Sequence, residues 1–262
     1  MRALLTNLLN PGEAPADINR LSIPWGISRH QLDRLTGIES SLATDEETEL
    51  LMAKALVALS EDPSSPCFLK THCGNYPLLG GEHRFPIPAI RCVIHLVRHP
   101  GAICRSYANH LGCSLETVVN ILSDPGHVVG RVDLLAVPPE PVGSWSQHVS
   151  SWLGWPEGKS LLVRYEDLRE HTEDYLAAIC DHCSISYNAQ SLKKAIEFSS
   201  LEELRRQEKA KGFRERPPSC AQFFGSGRID GFGDDFPPAL RETVLAHHSA
   251  VMARLGYLEG KA

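Results

Sequence analysis

The sequence predicts an α/β protein in which helices cover both faces of a central parallel sheet in three layers. Three short apolar runs, at residues 67–72, 92–97 and 160–163, predict buried strands. Helical patterns lie between and after these runs, and strands that alternate with helices favour a parallel sheet. The 262 residues suit one large domain or two small ones.

The remaining elements follow from apolar periodicity and from helix-breaking residues. Asp45, Glu46 and Glu47 place three acids in the first turn of a clear amphipathic helix, where they suit the helix dipole. Regions rich in glycine and proline predict irregular structure at 11–43 and 112–143 and a loop at 212–233. We predict helices at 2–9, 45–59, 100–111, 145–153, 168–183, 190–210 and 237–255.

Composition limits the class of function. The chain is 42% hydrophobic and 22% charged with a net charge of −6, which argues against a general nucleic-acid or membrane-surface role. It shows neither a span long enough for a bilayer nor a signal-peptide pattern, so we expect a cytoplasmic protein. Eight scattered cysteines fit reduced thiols, and we interpret the C-x-x-C spacing of Cys180 and Cys183 as structural because it lies in a helical pattern.

Arg98 is the first candidate functional residue, because it follows the run at 92–97 and precedes a helix that begins at Pro100. Ser106 lies about two turns into that helix. Ligands of open α/β sheets bind at the carboxyl ends of the strands, and a guanidinium with a hydroxyl suits a phosphate. The alternative is an arginine that merely ends a strand and a serine that faces solvent.

Two further strand ends and one loop carry polar residues. Lys70 and His72 end the run at 67–72, which would place His72 at the same sheet edge as Arg98, where an imidazole can take a proton from an alcohol. Tyr165 follows the run at 160–163. Ser226, Gly227 and Arg228 lie in the late loop, whose backbone N–H groups and cation can wrap an anion. A structural histidine and an ordinary flexible loop are the alternatives.

Together these segments resemble the sulfotransferase family that uses 3′-phosphoadenosine 5′-phosphosulfate (PAPS). Lys70-Thr71-His72 resembles the strand with the family's catalytic histidine, and Arg98-His99-Pro100 with Ser106 resembles its 3′-phosphate motif. The resemblance extends from Arg2 to Tyr257 and is strongest to short bacterial enzymes, including those that sulfate glycopeptide antibiotics. The segment 163–168 is similar to the one whose tyrosine contacts adenine, and 224–228 to the closing loop.

The resemblance implies a single domain, residues 1–262, with a sulfotransferase fold of the P-loop NTPase-like type. It implies transfer of a sulfuryl group from PAPS to a hydroxyl of a small molecule, without a metal, a nucleic acid or a membrane as partner. It says nothing about the oligomeric state. The implied roles are a general base for His72, supporting charge for Lys70, 3′-phosphate binding for Arg98 and Ser106 with Ser226, Gly227 and Arg228, an adenine contact for Tyr165, and flanking positions for Ser199 and Leu201.

One departure from the family pattern concerns the phosphosulfate-binding loop. The family begins with a strand and a Lys-Ser-Gly loop, whereas Met1 to Leu5 resemble the helix that follows that loop. We therefore expect the first strand and the loop to be missing, through a late start codon or a truncation. This favours, as an alternative, a non-catalytic nucleotide-binding relative. A nucleotide kinase relative is a third interpretation, disfavoured because the sequence has no P-loop.

Overall fold

The computed structural model describes residues 1–24, 26–62, 68–78, 80–81, 83–130 and 137–258. They divide into a first unit, Met1–Ser22, Ile94–Ser123 and Leu161–Ala262, and a second unit, Ile23–Val93 and Asp124–Ser160. The α-helices and β-strands of the described residues are α1 (Arg2–Leu9), α2 (Arg29–Thr36), α3 (Asp45–Ser60), β1 (Val93–Val97), α4 (Pro100–Leu111), α5 (Leu115–Ser123), β2 (Val128–Val129), β3 (Glu140–Pro141), α6 (Trp145–Leu153), β4 (Ser160–Arg164), α7 (Tyr165–Glu170), α8 (Thr172–Cys183), α9 (Ala189–Phe198), α10 (Leu201–Lys211) and α11 (Pro238–Arg254). Two short 3₁₀ helices, Ser40–Leu42 and Ile87–Ala89, are also present.

Two of the three predicted strands form and pair with each other. β1 and β4 are hydrogen-bonded neighbours in a parallel sheet. The Val93 N–H donates to the carbonyl of Lys159, directly before β4, at 2.7 Å. Val97 and Val163 are buried. The α/β class and the parallel pairing predicted from the sequence are therefore confirmed.

The predicted strand at 67–72 is wrong for the residues that the structure describes, and Cys67 lies outside them. The backbone groups there have other partners. The Lys70 N–H donates to the carbonyl of Pro24 at 3.3 Å, and the His72 N–H donates to the Glu140 carboxylate at 3.1 Å. Since a side-chain carboxylate occupies a donor that a sheet ladder requires, the segment runs as irregular chain.

The helices follow the prediction where apolar periodicity was strong. α1, α3, α4, α6 and α11 form within two residues of their predicted bounds, whereas the helices predicted at 168–183 and 190–210 are each divided in two. The irregular regions were predicted wrongly in part, because α2 forms within 11–43, and α5, β2 and β3 form within 112–143. No helix in the described part of the chain combines the length and apolar character needed to cross a membrane.

Each unit has its own buried apolar side chains. In the first unit Cys180 and Cys183 of α8 are buried, as are Leu176 and Ile179 of the same helix. α1 packs against α9 in the same unit, and α4 packs against α5. The core of the second unit joins α2, α3 and α6 through Ile27, Leu32, Leu51, Met52, Ala55, Leu56, Cys73, Phe85, Trp152 and Trp155.

His99 caps the N-terminus of α4 and fixes the turn that follows β1. Its Nδ1 accepts from the Gly101 N–H at 3.0 Å, and its own N–H donates to the Glu166 carboxylate at 2.9 Å. The ring packs edge-on against Phe232 and Tyr257. Burial, followed by the charges of nearby arginines, lowers the pKa of His99 from 6.5 to about 4.

This cap predicts a pH dependence of stability. Because the folded-state pKa of His99 is depressed, the unfolded chain binds the proton first as the pH falls from 6.5 to about 4. The contribution of His99 to the free energy of unfolding is fully present above that pH window. Roughly 2 kcal/mol of this contribution is lost between pH 7.5 and pH 5. His99→Asn keeps a capping oxygen and removes the titration. Urea unfolding should therefore show a smaller acid loss in the variant, and an equal loss in both proteins would contradict this account.

Candidate functional site

Arg98 lies directly after β1, as predicted, and connects three segments of the first unit. Its Cζ lies 4.4 Å from the centroid of the ring of Tyr165, the first residue of α7. Its Nη2 donates to the backbone carbonyl of Arg228 at 2.7 Å. Its buried Nε has no hydrogen-bond partner among the residues that the structure describes. We call Arg98, Tyr165 and Arg228 the Arg98 group.

The late loop, between α10 and α11, is held in place by charged side chains of the helices around it. Arg205 Nε donates to the carbonyl of Phe224 at 3.0 Å, and the Glu208 carboxylate accepts the Phe224 N–H at 3.0 Å. Arg105 of α4 donates to the carbonyl of Gly231, also at 3.0 Å. The loop that carries Ser226, Gly227 and Arg228 is thus anchored on both sides of these residues.

The three predicted loop residues occupy different environments. Gly227 has φ +69°, a left-handed conformation that favours glycine. The Arg228 guanidinium is half exposed and pairs with Asp230, with Nη2 2.7 Å from Oδ2. Ser226 is exposed, and its hydroxyl accepts the Arg228 N–H at 3.4 Å. Arg228 therefore contacts Arg98 through its backbone, while Asp230 binds its cation.

The remaining predicted residues of the first unit are only partly brought together. Leu201 begins α10, and its Cδ2 lies 2.6 Å from where a Cβ on Gly227 would be. The Ser199 hydroxyl accepts from Asn7 Nδ2 of α1 at 2.9 Å. Ser106 lies on the exposed side of α4. The structure thus places Leu201 against the late loop and Ser199 against α1.

His72 belongs to a cluster of the second unit, formed with Thr71 and Glu140, which we call the His72 group. The Glu140 carboxylate lies 2.9 Å from His72 Nδ1 through Oε2, and its Oε1 accepts the Thr71 hydroxyl at 2.9 Å. The side chain of Glu140 is 14% exposed and that of His72 is 39% exposed. Burial favours the neutral acid, but hydrogen bonds from His72 and Thr71 lower the pKa of Glu140 to about 2.

Glu140 is not among the site residues predicted from the sequence. It lies 68 positions from His72 in a proline-rich connection, and no pattern of spacing relates the two. A connection as long as residues 112–143 is often functional, but its length identifies no particular residue. Lys70, the second predicted catalytic residue, is half-buried two positions before His72.

Comparison with protein families identifies the chain. The sequence model of the sulfotransferase domain matches residues 27–256. The chain belongs to the sulfotransferase family. Two curated mouse relatives, sulfotransferase 2A1 and sulfotransferase 2A2, are 27% and 26% identical to it over 113 residues. The match covers 43% of this chain and 38% of each relative, so the aligned part spans less than two fifths of the relatives' length.

Solved structures show the same fold. Mouse sulfotransferase SULT7A1 complexed with PAP has a TM-score of 0.52 at 17% identity, covering 75% of this chain and 70% of its own. Retinol dehydratase in complex with androsterone and the inactive cofactor PAP has a TM-score of 0.61 at 13% identity, covering 96% and 76%. A complex of retinol dehydratase with retinol and PAP has a TM-score of 0.53 at 14% identity, covering 84% and 64%. The α/β fold of this chain is therefore that of the sulfotransferase family.

The conformation of Gly227 predicts the effect of a side chain there. Gly227→Ala should lower the free energy of unfolding by about 1–2 kcal/mol, because alanine is strained at φ +69° and its methyl group meets Leu201. Gly225→Ala is the matched control two residues away, since a Cβ there meets nothing within 4 Å. Urea unfolding measures both variants. Equal destabilisation by the two changes would show that the described loop conformation is wrong.

Proposed function

We propose that this sulfotransferase transfers the sulfuryl group of PAPS to a hydroxyl of a small molecule, with His72 as the general base. The proposal includes the bacterial type and the cytoplasmic location predicted from the sequence, although the curated relatives reported above are mouse proteins. The three solved neighbours are described as complexes with PAP, which remains when PAPS loses its sulfuryl group. Androsterone and retinol, named in two of them, are alcohols.

The observation that carries the proposal is the Arg98 guanidinium at the end of β1. A cation whose buried Nε lacks a partner among the described residues is suited to donate a charge-assisted hydrogen bond to a phosphate oxygen. The aromatic ring of Tyr165 lies against this guanidinium, and an aromatic side chain beside a phosphate-binding cation can contact the purine of a nucleotide. We assign Arg98 to the 3′-phosphate, with Ser106 and the loop residues Ser226, Gly227 and Arg228 in support.

The adenine would contact Tyr165, with Ser199 and Leu201 near it. Ser199 and Leu201 flank the turn between α9 and α10, and Leu201 already packs against the late loop. The Ser199 hydroxyl accepts a hydrogen bond from Asn7 of α1. These assignments use only residues of the first unit.

The reaction needs a base but little covalent chemistry from the protein. The acceptor oxygen attacks sulfur, the bond between sulfur and the 5′-phosphate oxygen breaks, and PAP leaves with the bonding electrons. The hydroxyl proton passes to His72. Positioning and charge stabilisation supply most of the rate, as in phosphoryl transfer, with Lys70 as supporting charge.

Replacing His72 tests the role of the base. In an assay of PAP release from PAPS and 4-nitrophenol, His72→Ala should lower kcat roughly 100-fold or more, because proton removal is lost. Calorimetry should show PAP affinity unchanged within about twofold, since the nucleotide contacts are elsewhere. His30→Ala, an exposed histidine of α2, is the matched control.

Three results would separate the alternatives. Full activity of His72→Ala removes His72 from the mechanism. PAP binding by the unaltered chain without transfer to any hydroxyl acceptor supports the non-catalytic nucleotide-binding alternative. Absence of PAP binding contradicts the assignment of Arg98 and with it the proposed co-substrate.

A further inference from the structure

We propose that Glu140 is the positioning residue of His72, which it holds in the tautomer with the proton on Nδ1, so that Nε2 is the atom that takes the acceptor's proton. The inference rests on the proposed function, because it assigns a partner to the base named there. It concerns only residues of the second unit. Its basis is the 2.9 Å contact between His72 Nδ1 and Glu140 Oε2.

The carboxylate of Glu140 is bound as an anion. Its Oε1 accepts hydrogen bonds from the Thr71 hydroxyl at 2.9 Å, from the His72 N–H at 3.1 Å and from the Cys73 thiol at 3.7 Å. These bonds, together with the contact to the imidazole, outweigh burial and lower the pKa of Glu140 to about 2. An ionised carboxylate has no proton to donate, so the nitrogen that faces it must carry one.

Fixing the proton on Nδ1 determines what Nε2 can do. A neutral imidazole has one donor nitrogen and one acceptor nitrogen, and only the acceptor can remove a proton. An acid that holds the donor nitrogen therefore prepares the other nitrogen as a base and stabilises the imidazolium that forms. The exposed fractions of the two side chains agree with these roles, since Glu140 is mostly buried and His72 is partly open to solvent.

The backbone around the pair holds both side chains in place. β3 pairs antiparallel with β2, with Val129 opposite Glu140. The carbonyl of Pro141 accepts the Gly74 N–H at 2.9 Å, which ties the segment of His72 to β3. Trp152 of α6 donates to the carbonyl of Cys73 at 2.9 Å. Because both partners are anchored, the carboxylate needs little reordering to orient the imidazole.

The other ionisable groups near the pair do not replace Glu140. Arg84 is buried and paired with Glu49, and both interact with Glu140 through their charges. Burial raises the pKa of the Cys73 thiol, which therefore stays protonated at neutral pH. Burial lowers the pKa of His148, which keeps that ring neutral. Glu140 is thus the group whose oxygen contacts His72 Nδ1 within this cluster of described residues.

Glu140→Gln tests the tautomer directly. The amide oxygen should stay where Oε1 accepts the Thr71, His72 and Cys73 donors, which turns the NH₂ group toward His72 Nδ1 and forces the proton onto Nε2. We expect kcat for 4-nitrophenol to fall about 100-fold or more, because the base is then blocked by its own proton. The KM for PAPS and the affinity for PAP should stay within about twofold. Glu157→Gln, an exposed acid of the same unit, is the matched control.

The ¹⁵N shifts of the His72 ring provide a readout that a merely structural role would not move. The signals of the His72 ring are identified as those that disappear in His72→Ala, and the spectra are recorded at pH 9. The unaltered protein should show a protonated Nδ1 and an unprotonated Nε2, and Glu140→Gln should show the reverse. If the variant does not fold, the spectrum of the unaltered protein still shows which ring nitrogen of His72 carries the proton.

Two results would overturn the inference. One is a proton on Nε2 in the unaltered protein, and the other is full kcat in a folded Glu140→Gln variant. If His72→Ala loses turnover while Glu140→Gln keeps it, the role of His72 stands and only that of Glu140 is wrong. If His72→Ala keeps full turnover, the proposed base fails, whatever the tautomer.

Discussion

The guanidinium of Arg98 is the interaction on which the arrangement of the first unit depends. It stacks on Tyr165, which follows β4, and donates to the carbonyl of Arg228 in the late loop. One side chain at the end of β1 thus joins the two parallel strands to the loop. The buried Nε shows that protein groups in the described residues do not fully satisfy this cation. A cation that is held by these contacts and left partly unsatisfied is suited to an anionic ligand.

In the His72 group, a side-chain carboxylate takes the place of a backbone partner in a sheet. Glu140 accepts the His72 N–H that a strand would have used in a ladder, and it also orients the imidazole. The same hydrogen bonds therefore explain why residues 68–72 are not a strand and why His72 has a defined geometry. Thr71, His72 and Glu140 all belong to the second unit, so this cluster forms within one unit.

The sequence predicted the elements whose signal is local. β1, β4, α3 and α6 follow from apolar runs and helical periodicity. α2 was missed because it is short and polar, although Ser28 and Gln31 form a capping box and Gly37 ends the helix. Arg98 was predicted from its place after a strand, whereas Glu140 depends on a contact across 68 residues that no local pattern encodes.

In the proposed function, the Arg98 group binds a nucleotide through its 3′-phosphate. Calorimetric titration with PAP and with adenosine 5′-phosphate, which lacks that group, tests it most directly. A charge-assisted contact to Arg98 contributes on the order of 3 kcal/mol, which corresponds to roughly 100-fold in affinity. We expect PAP to bind about 100-fold more tightly than adenosine 5′-phosphate, with most of this preference lost in Arg98→Ala. Equal affinities for the two nucleotides in the unaltered protein would contradict the account.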